Sequence, residues 1–283
     1  MGGIQATPPP PPEFDRPWRM MHWGSKDVIE QKLRNFRPDN VQFVRILVVG
    51  EVGAGKSSFI NSVNNAFQGR ITSGALVGGI GGTSFTKAYK THYIQRKDAS
   101  HLPFVFNDTM GLESSESGAH VQDIINALHG FLQEAYRFNP ASPLSSNAPG
   151  YRSSPSLEDQ TFCLVNIMAA DKISLMDSGV FRKLQAIREA ASHLNMPQVI
   201  IMTKVDLVCP LVHHDIKKIY TSKRIKEKMQ ECSNILGLPM NYIFPVKNYH
   251  EEIDTEDDMD LLILKALDQI MHIAADKSCT HEN

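Results

Sequence analysis

The segment Gly50-Glu51-Val52-Gly53-Ala54-Gly55-Lys56-Ser57 sits between an apolar run, Phe43 to Val49, and a helical pattern, Lys56 to Ala66. No other feature limits the possible folds as much, because GxxxxGK[ST] carries meaning only between a strand and a helix, and here it has both. In that setting the glycines let the backbone curl until its N–H groups face one anion. The following helix turns the positive end of its dipole to the same point. Gly50, Glu51, Val52, Gly53, Ala54 and Gly55 are therefore expected to cradle phosphates, with Ser58 completing the segment. Lys56 is expected to reach the β- and γ-phosphates, and Ser57 to give a hydroxyl oxygen to Mg²⁺, a hard cation that takes oxygen ligands. The plainer reading is a glycine-rich turn without a ligand.

A loop of this kind needs a parallel sheet to carry it, and the rest of the chain supplies the pattern for one. Runs at Phe43 to Val49, Lys87 to Ile94, Leu102 to Asn107, Phe162 to Met168, Gln198 to Met202 and Tyr242 to Val246 read as strands. Amphipathic stretches at Lys56 to Ala66, His120 to Phe138, Ser178 to His193, His214 to Leu236 and Asp258 to Ala275 read as helices. The alternation predicts a Ras-like P-loop NTPase fold, three layers α/β/α around a mostly parallel six-stranded sheet whose second strand runs antiparallel. With 283 residues, 42% of them hydrophobic, the chain has the material for that core. The expected division is a proline-rich, poorly ordered arm over 1–24, a short helical extension over 25–40, and a GTP-binding domain over 41–277. Residues 139–160 hold Pro140, Pro143, Pro149 and Pro155, which neither a helix nor an inner strand tolerates, so they read as a surface insertion.

Three more strand ends carry chemistry. Asp108-Thr109-Met110-Gly111 follows the third strand; Asp108 is expected to hold Mg²⁺ directly or through water, and Gly111 to let an N–H approach the γ-phosphate. Thr203-Lys204-Val205-Asp206 ends the fifth strand. A carboxylate at Asp206 can accept from guanine N1–H and the exocyclic amine, donors that adenine lacks, and would be left unpaired by the wrong base, which argues for GTP over ATP. Lys204 is expected to pack along the base. At Pro245-Val246-Lys247-Asn248 the Val246 N–H is expected to meet guanine O6 and the Lys247 stem to cover the ring. The stretch Gly74, Gly78, Gly79, Gly81, Gly82, Thr83 stands in the place of the first switch, and Thr83 is expected to complete the Mg²⁺ shell, with Ser84 and Thr86 as rivals. Lys56, Thr83, Asp108 and Gly111 are thus the candidate catalytic set, and Ser57, Thr83 and Asp108 the candidate metal set. An ATPase or kinase reading shares the loop but must dismiss Thr203 to Asp206 as coincidence.

GTPases of the Ras type orient water with a glutamine directly after DxxG, and here that position is Leu112. The sequence therefore predicts slow or partner-dependent hydrolysis, with Glu113 and Glu116 near enough to contribute. The alternative is a hydrolysis-deficient switch that holds GTP or GDP and acts through a partner, a second copy of the chain included.

A formal net charge of −2 gives no global field for nucleic acid. No apolar run approaches the length that spans a bilayer, and the ends carry neither a leader nor a lipidation signal, so a cytoplasmic protein is expected. Cys163, Cys209, Cys232 and Cys279 are too scattered for a zinc site or a disulfide framework. The cations from Lys217 to Lys228 read as a solvated helix face, His213-His214 as no metal site, and the acids from Glu251 to Asp258 as the approach to a helix N-terminus.

The run Val44 to Val49 leading into Gly-Glu-Val-Gly-Ala-Gly-Lys-Ser-Ser-Phe-Ile-Asn-Ser-Val, then Phe67-Gln68-Gly69, resembles the interferon-induced protein 44 family. The resemblance extends from Phe14-Asp15-Arg16-Pro17-Trp18-Arg19 through Ala75-Leu76-Val77-Gly78, Leu102-Pro103-Phe104 and Asn248-Tyr249 to the last helix. It implies an interferon-responsive, cytoplasmic GTP-binding protein of innate antiviral defence. Longer relatives carry an N-terminal TLDc-type domain that has no counterpart in this sequence, and some have an imperfect guanine motif where Lys204 and Asp206 are both present here.

Overall fold

A computed structural model of the chain describes residues 12–72, 74–75, 87–114 and 117–279. Along it run α1 (Lys26–Asn35), β1 (Val44–Gly50), α2 (Lys56–Gln68), β2 (Lys90–Gln95), β3 (His101–Asp108), α3 (Val121–Leu128), β4 (Cys163–Ala169), α4 (Ser178–His193), β5 (Gln198–Thr203), α5 (Val205–Val208), α6 (Pro210–His214), α7 (Lys223–Leu236), β6 (Ile243–Pro245) and α8 (Asp257–Cys279). The six strands form one sheet in the order β2-β3-β1-β4-β5-β6. Every pairing is parallel except that of β2 with β3.

The inner strands are apolar on both faces because both faces are covered. In β1, Ile46 and Val48 enter one core with α1, α2 and α8, whereas Leu47 and Val49 enter the other with α3, α4 and α7. β4 divides the same way, Val165 and Ile167 against Leu164 and Met168.

Two of the expected helices are shorter than the sequence indicates. The stretch from His120 to Phe138 is helical only to Leu128, after which Gly130 takes φ +82° and the chain returns along β2, with Tyr89 N–H donating to Tyr136 O at 2.7 Å. The stretch from His214 to Leu236 begins as a tight turn at Ile216–Tyr220, and α7 starts only where Ser222 caps it by accepting from the Ile225 N–H. Residues 139–160 are anchored by the buried Leu144, whose N–H donates to Asp123 Oδ1 at 2.7 Å.

The N-terminal arm departs from expectation over residues 12–24, which are docked on the domain. Trp18 meets Tyr220 edge to face, and Arg19 donates to the Ile243 and Met240 carbonyls at 2.7 and 2.6 Å. Aromatic burial and a charged donor shared between two backbone carbonyls outweigh the extended bias of the prolines. The arm also engages the basic helix face: Glu13 pairs with Lys218 at 3.0 Å, and Phe14 lies beneath Lys223 and Lys226. Residues 1–11 lie outside the described residues.

Candidate functional site

Because β1, β3, β4, β5 and β6 are mutually parallel, their carboxyl ends open along one edge of the sheet, where a crevice forms between the following loops. The strand order places the loop after β1 in the middle, the segment after β3 on one side, and the turns after β4, β5 and β6 on the other.

In the middle loop, Gly55 takes φ +96° and stands at the N-terminus of α2, where no side chain caps the helix. A side chain there would be strained, and the helix begins at the crevice with no side-chain cap. Lys56 is buried, with Nζ donating to the carbonyls of Gly50 at 3.2 Å and Glu51 at 3.1 Å. Burial depresses its pKa, an effect opposed by the charges of Asp108 and Glu51. Ser57 Oγ donates to Asp108 Oδ2 at 2.7 Å, so the residues expected from two separate strand ends converge.

The segment after β3 is bolted to that loop. Leu112 N–H donates to Gly50 O at 3.0 Å and Val52 N–H to Leu112 O at 3.1 Å. Thr109 Oγ1 donates to Val48 O at 2.8 Å. Gly111 is required by close approach, since a Cβ there would lie 2.8 Å from Val52 Cα and 2.9 Å from its nitrogen. The Leu112 side chain points away into the core, 0% exposed, among Ile124 and Leu128. Glu113 turns to Ser117 and lends its carbonyl to Lys183 at 2.7 Å.

On the other side, Thr203 Oγ1 donates to Ala54 O at 2.6 Å and Asn248 Nδ2 to Gly55 O at 3.1 Å, tying the ends of β5 and β6 to the loop. Lys204 takes φ +56° and pairs with Asp171 at 3.7 Å. Asp206, half-buried at the start of α5, makes no hydrogen bond or ion pair through its carboxylate among the described residues. Lys247 pairs with Glu252 at 2.7 Å; burial lowers its pKa, but the Glu252 hydrogen bond and charge outweigh that and raise it. The Val246 N–H, expected to meet a ligand, is spent on Met202 O at 2.8 Å because the β5–β6 ladder runs one residue further. Any backbone donor to a ligand at that end comes from the residues after it.

The turn after β4 was not among the expected site residues. It places Asp171 beside Lys204, and Lys172 Nζ 3.6 Å from where a Cβ of Gly53 would stand. No motif marks this turn, but β4 between β1 and β5 implies it. Thr83, Ser84, Thr86 and Glu116 lie outside the described residues. Cys163, Cys209 and Cys232 are buried free thiols. Among the described residues no helix is long and apolar enough to cross a membrane.

No family model matches the chain. It is 35% identical over 260 residues to Interferon-induced protein 44 of Homo sapiens, covering 89% of this chain and 58% of that protein. Against Interferon-induced protein 44 of Mus musculus it is 33% identical over 247 residues, 86% of this chain and 58% of the relative. Against Interferon-induced protein 44-like of Homo sapiens it is 32% identical over 248 residues, 86% of this chain and 55% of the relative. The chain therefore spans little more than half the length of these curated relatives.

Proposed function

The chain belongs to the interferon-induced protein 44 family, and from that premise and the crevice geometry we propose that it is a guanine-nucleotide-binding protein of Ras-like P-loop NTPase fold that takes GTP with Mg²⁺. The observation that carries this reading is the convergence of Lys56, Ser57 and Asp108 at one helix N-terminus. Lys56 holds two carbonyls that a phosphate oxygen would replace, and the uncapped N–H groups of α2 supply the remaining donors. Ser57 Oγ and the Asp108 carboxylate are hard oxygen donors in contact, a set that fits Mg²⁺. When bound, that ion neutralises charge on the phosphate oxygens. Thr83 is assigned to the same shell. Asp206 reads guanine with its uncommitted carboxylate, Lys204 and Lys247 flank the base, and 41–277 forms the G domain.

Hydrolysis to GDP and phosphate is proposed to be slow, because the side chain after Gly111 is sealed in the core and cannot orient water. The same burial favours a second reading, a switch that keeps its nucleotide and acts through a protein partner or a second copy. The names of the relatives support an interferon-related role, and that role is proposed to be an antiviral one exercised in the cytoplasm. A single-turnover assay with labelled GTP, run beside Lys56→Ala and with ATP as competitor, tests the reading. Binding and slow turnover lost in the variant and resistant to ATP are expected. Intact GTP in a stable complex selects the switch, and absence of binding by the wild type overturns both.

A further inference from the structure

The turn after β4 is anchored firmly. Ala170 N–H donates to Thr203 O, Lys172 N–H to Ala169 O and Leu175 N–H to Lys172 O, each at 2.9 Å, and Ile173 is buried beneath it. From this base the Lys172 ammonium lies over the glycine loop at Gly53. Its neighbour Asp171 is engaged by Lys204, and no carboxylate of the described residues pairs with Lys172. Lys56 already places one buried ammonium in that loop. Two cations and a helix N-terminus around one loop repel each other when it is empty and are satisfied together only by a multiply charged anion.

We propose that Lys172 is a second phosphate-binding cation, reaching the phosphate chain of a nucleoside di- or triphosphate from the β4 side of the loop. The inference rests on the guanine-nucleotide reading and adds a residue outside all four motifs. It also gives Asp171 a purpose: by holding Lys204 it leaves Lys172 as the cation of this turn with no acidic partner.

The test titrates the full chain with fluorescently labelled GTP, GDP and GMP, comparing wild type with Lys172→Met, Lys172→Arg and Lys56→Ala. Lys172→Met is expected to weaken GTP and GDP about 10-fold, as for one charge-assisted hydrogen bond at a partly exposed position, and to leave GMP nearly unchanged. It should flatten the salt dependence of GTP binding, while Lys172→Arg restores most of the affinity. The ligand-free melting temperature of Lys172→Met should equal or exceed that of wild type, since a repulsion has been removed. Equal GTP and GDP affinities in wild type and Lys172→Met, with Lys56→Ala defective, overturn the inference and leave the nucleotide reading standing. A lowered ligand-free melting temperature with parallel losses for all three nucleotides makes Lys172 structural and also overturns it. A wild type that binds none of them removes the nucleotide reading and this inference together.

Discussion

Around Gly111 the crevice is held by backbone: Leu112 exchanges two main-chain bonds with the glycine loop, and Gly111 lies against the Val52 main chain with no room for a methyl group. Around Asp206 it is held by side chains: Thr203 reaches the Ala54 and Met168 carbonyls and Asn248 that of Gly55, Lys204 and Lys247 rest on Asp171 and Glu252, and Asp206 makes no hydrogen bond or ion pair among the described residues. The first half is preorganised by the same bonds that build the sheet, so changes there are felt as lost stability. The second half is an arrangement of polar groups awaiting a ligand, so changes there are felt in ligand choice.

The sharpest way to break this contrast is Gly111→Ala. The added Cβ would stand 2.5 Å from Val52 Cγ2 and 2.8 Å from Val52 Cα, and main chain has little freedom to retreat. A loss of about 3 kcal/mol is expected, the upper range for overpacking, read as a lower urea midpoint of the ligand-free protein. An unchanged midpoint would mean that the Gly111 side yields as readily as the other, and the contrast would be lost.

Asp206→Ala should do the reverse. Stability is expected to change by less than about 0.5 kcal/mol, since the carboxylate makes no hydrogen bond or ion pair among the described residues and acts on the fold only through its charge near Lys247. Affinity for GTP should fall about 100-fold, with ATP and GTP competing nearly equally, because the discriminating acceptor is gone. Isothermal titration beside a denaturation curve reads both quantities. A variant that unfolds easily yet keeps its preference for GTP would place guanine recognition elsewhere.

The same contrast governs what the residues disclose in advance. The inner strands and the glycine loop are legible because continuous apolar runs and GxxxxGK[ST] depend on local order, and the parallel pairing of β1 with β3 then brings Asp108 to Ser57. The end of α3 is not legible, since His129 to Ala135 would continue a helix acceptably. What stops it is Gly130, whose Cβ would lie 2.7 Å from Asp159 O, a neighbour far along the chain. The break before α7 falls where Ser222 caps the helix while its hydroxyl also meets Cys209 Sγ at 3.1 Å, a contact across the fold. The docked arm depends on a surface formed by residues near Tyr220 and Ile243, and Lys172 depends on strand order. In each case tertiary contact decides what local pattern leaves open.

The smallest expected effect concerns acid. Glu252 accepts from the His250 N–H at 2.8 Å and pairs with Lys247, and its side chain is 17% exposed. Burial acts to raise its pKa, but the His250 N–H and the Lys247 ammonium outweigh this and bring it from 4.5 down to about 2. A folded-state pKa below the unfolded one means stabilisation that is complete above about pH 4.5 and lost as pH falls toward about 2. Lys247, with its pKa raised, remains charged throughout that window, so Glu252 alone titrates within this pair. Allowing for solvent screening, the pair contributes about 1 kcal/mol. Urea denaturation at pH 7 and pH 3 should show wild type losing more than Glu252→Gln on acidification, by roughly half of that contribution, because the folded-state carboxylate is still largely ionised at pH 3. Equal losses would mean that Lys247 is held by something other than this carboxylate. The difference, if found, shows that the side-chain half of the crevice carries a pH dependence through this pair that the backbone bonds around Gly111 do not share.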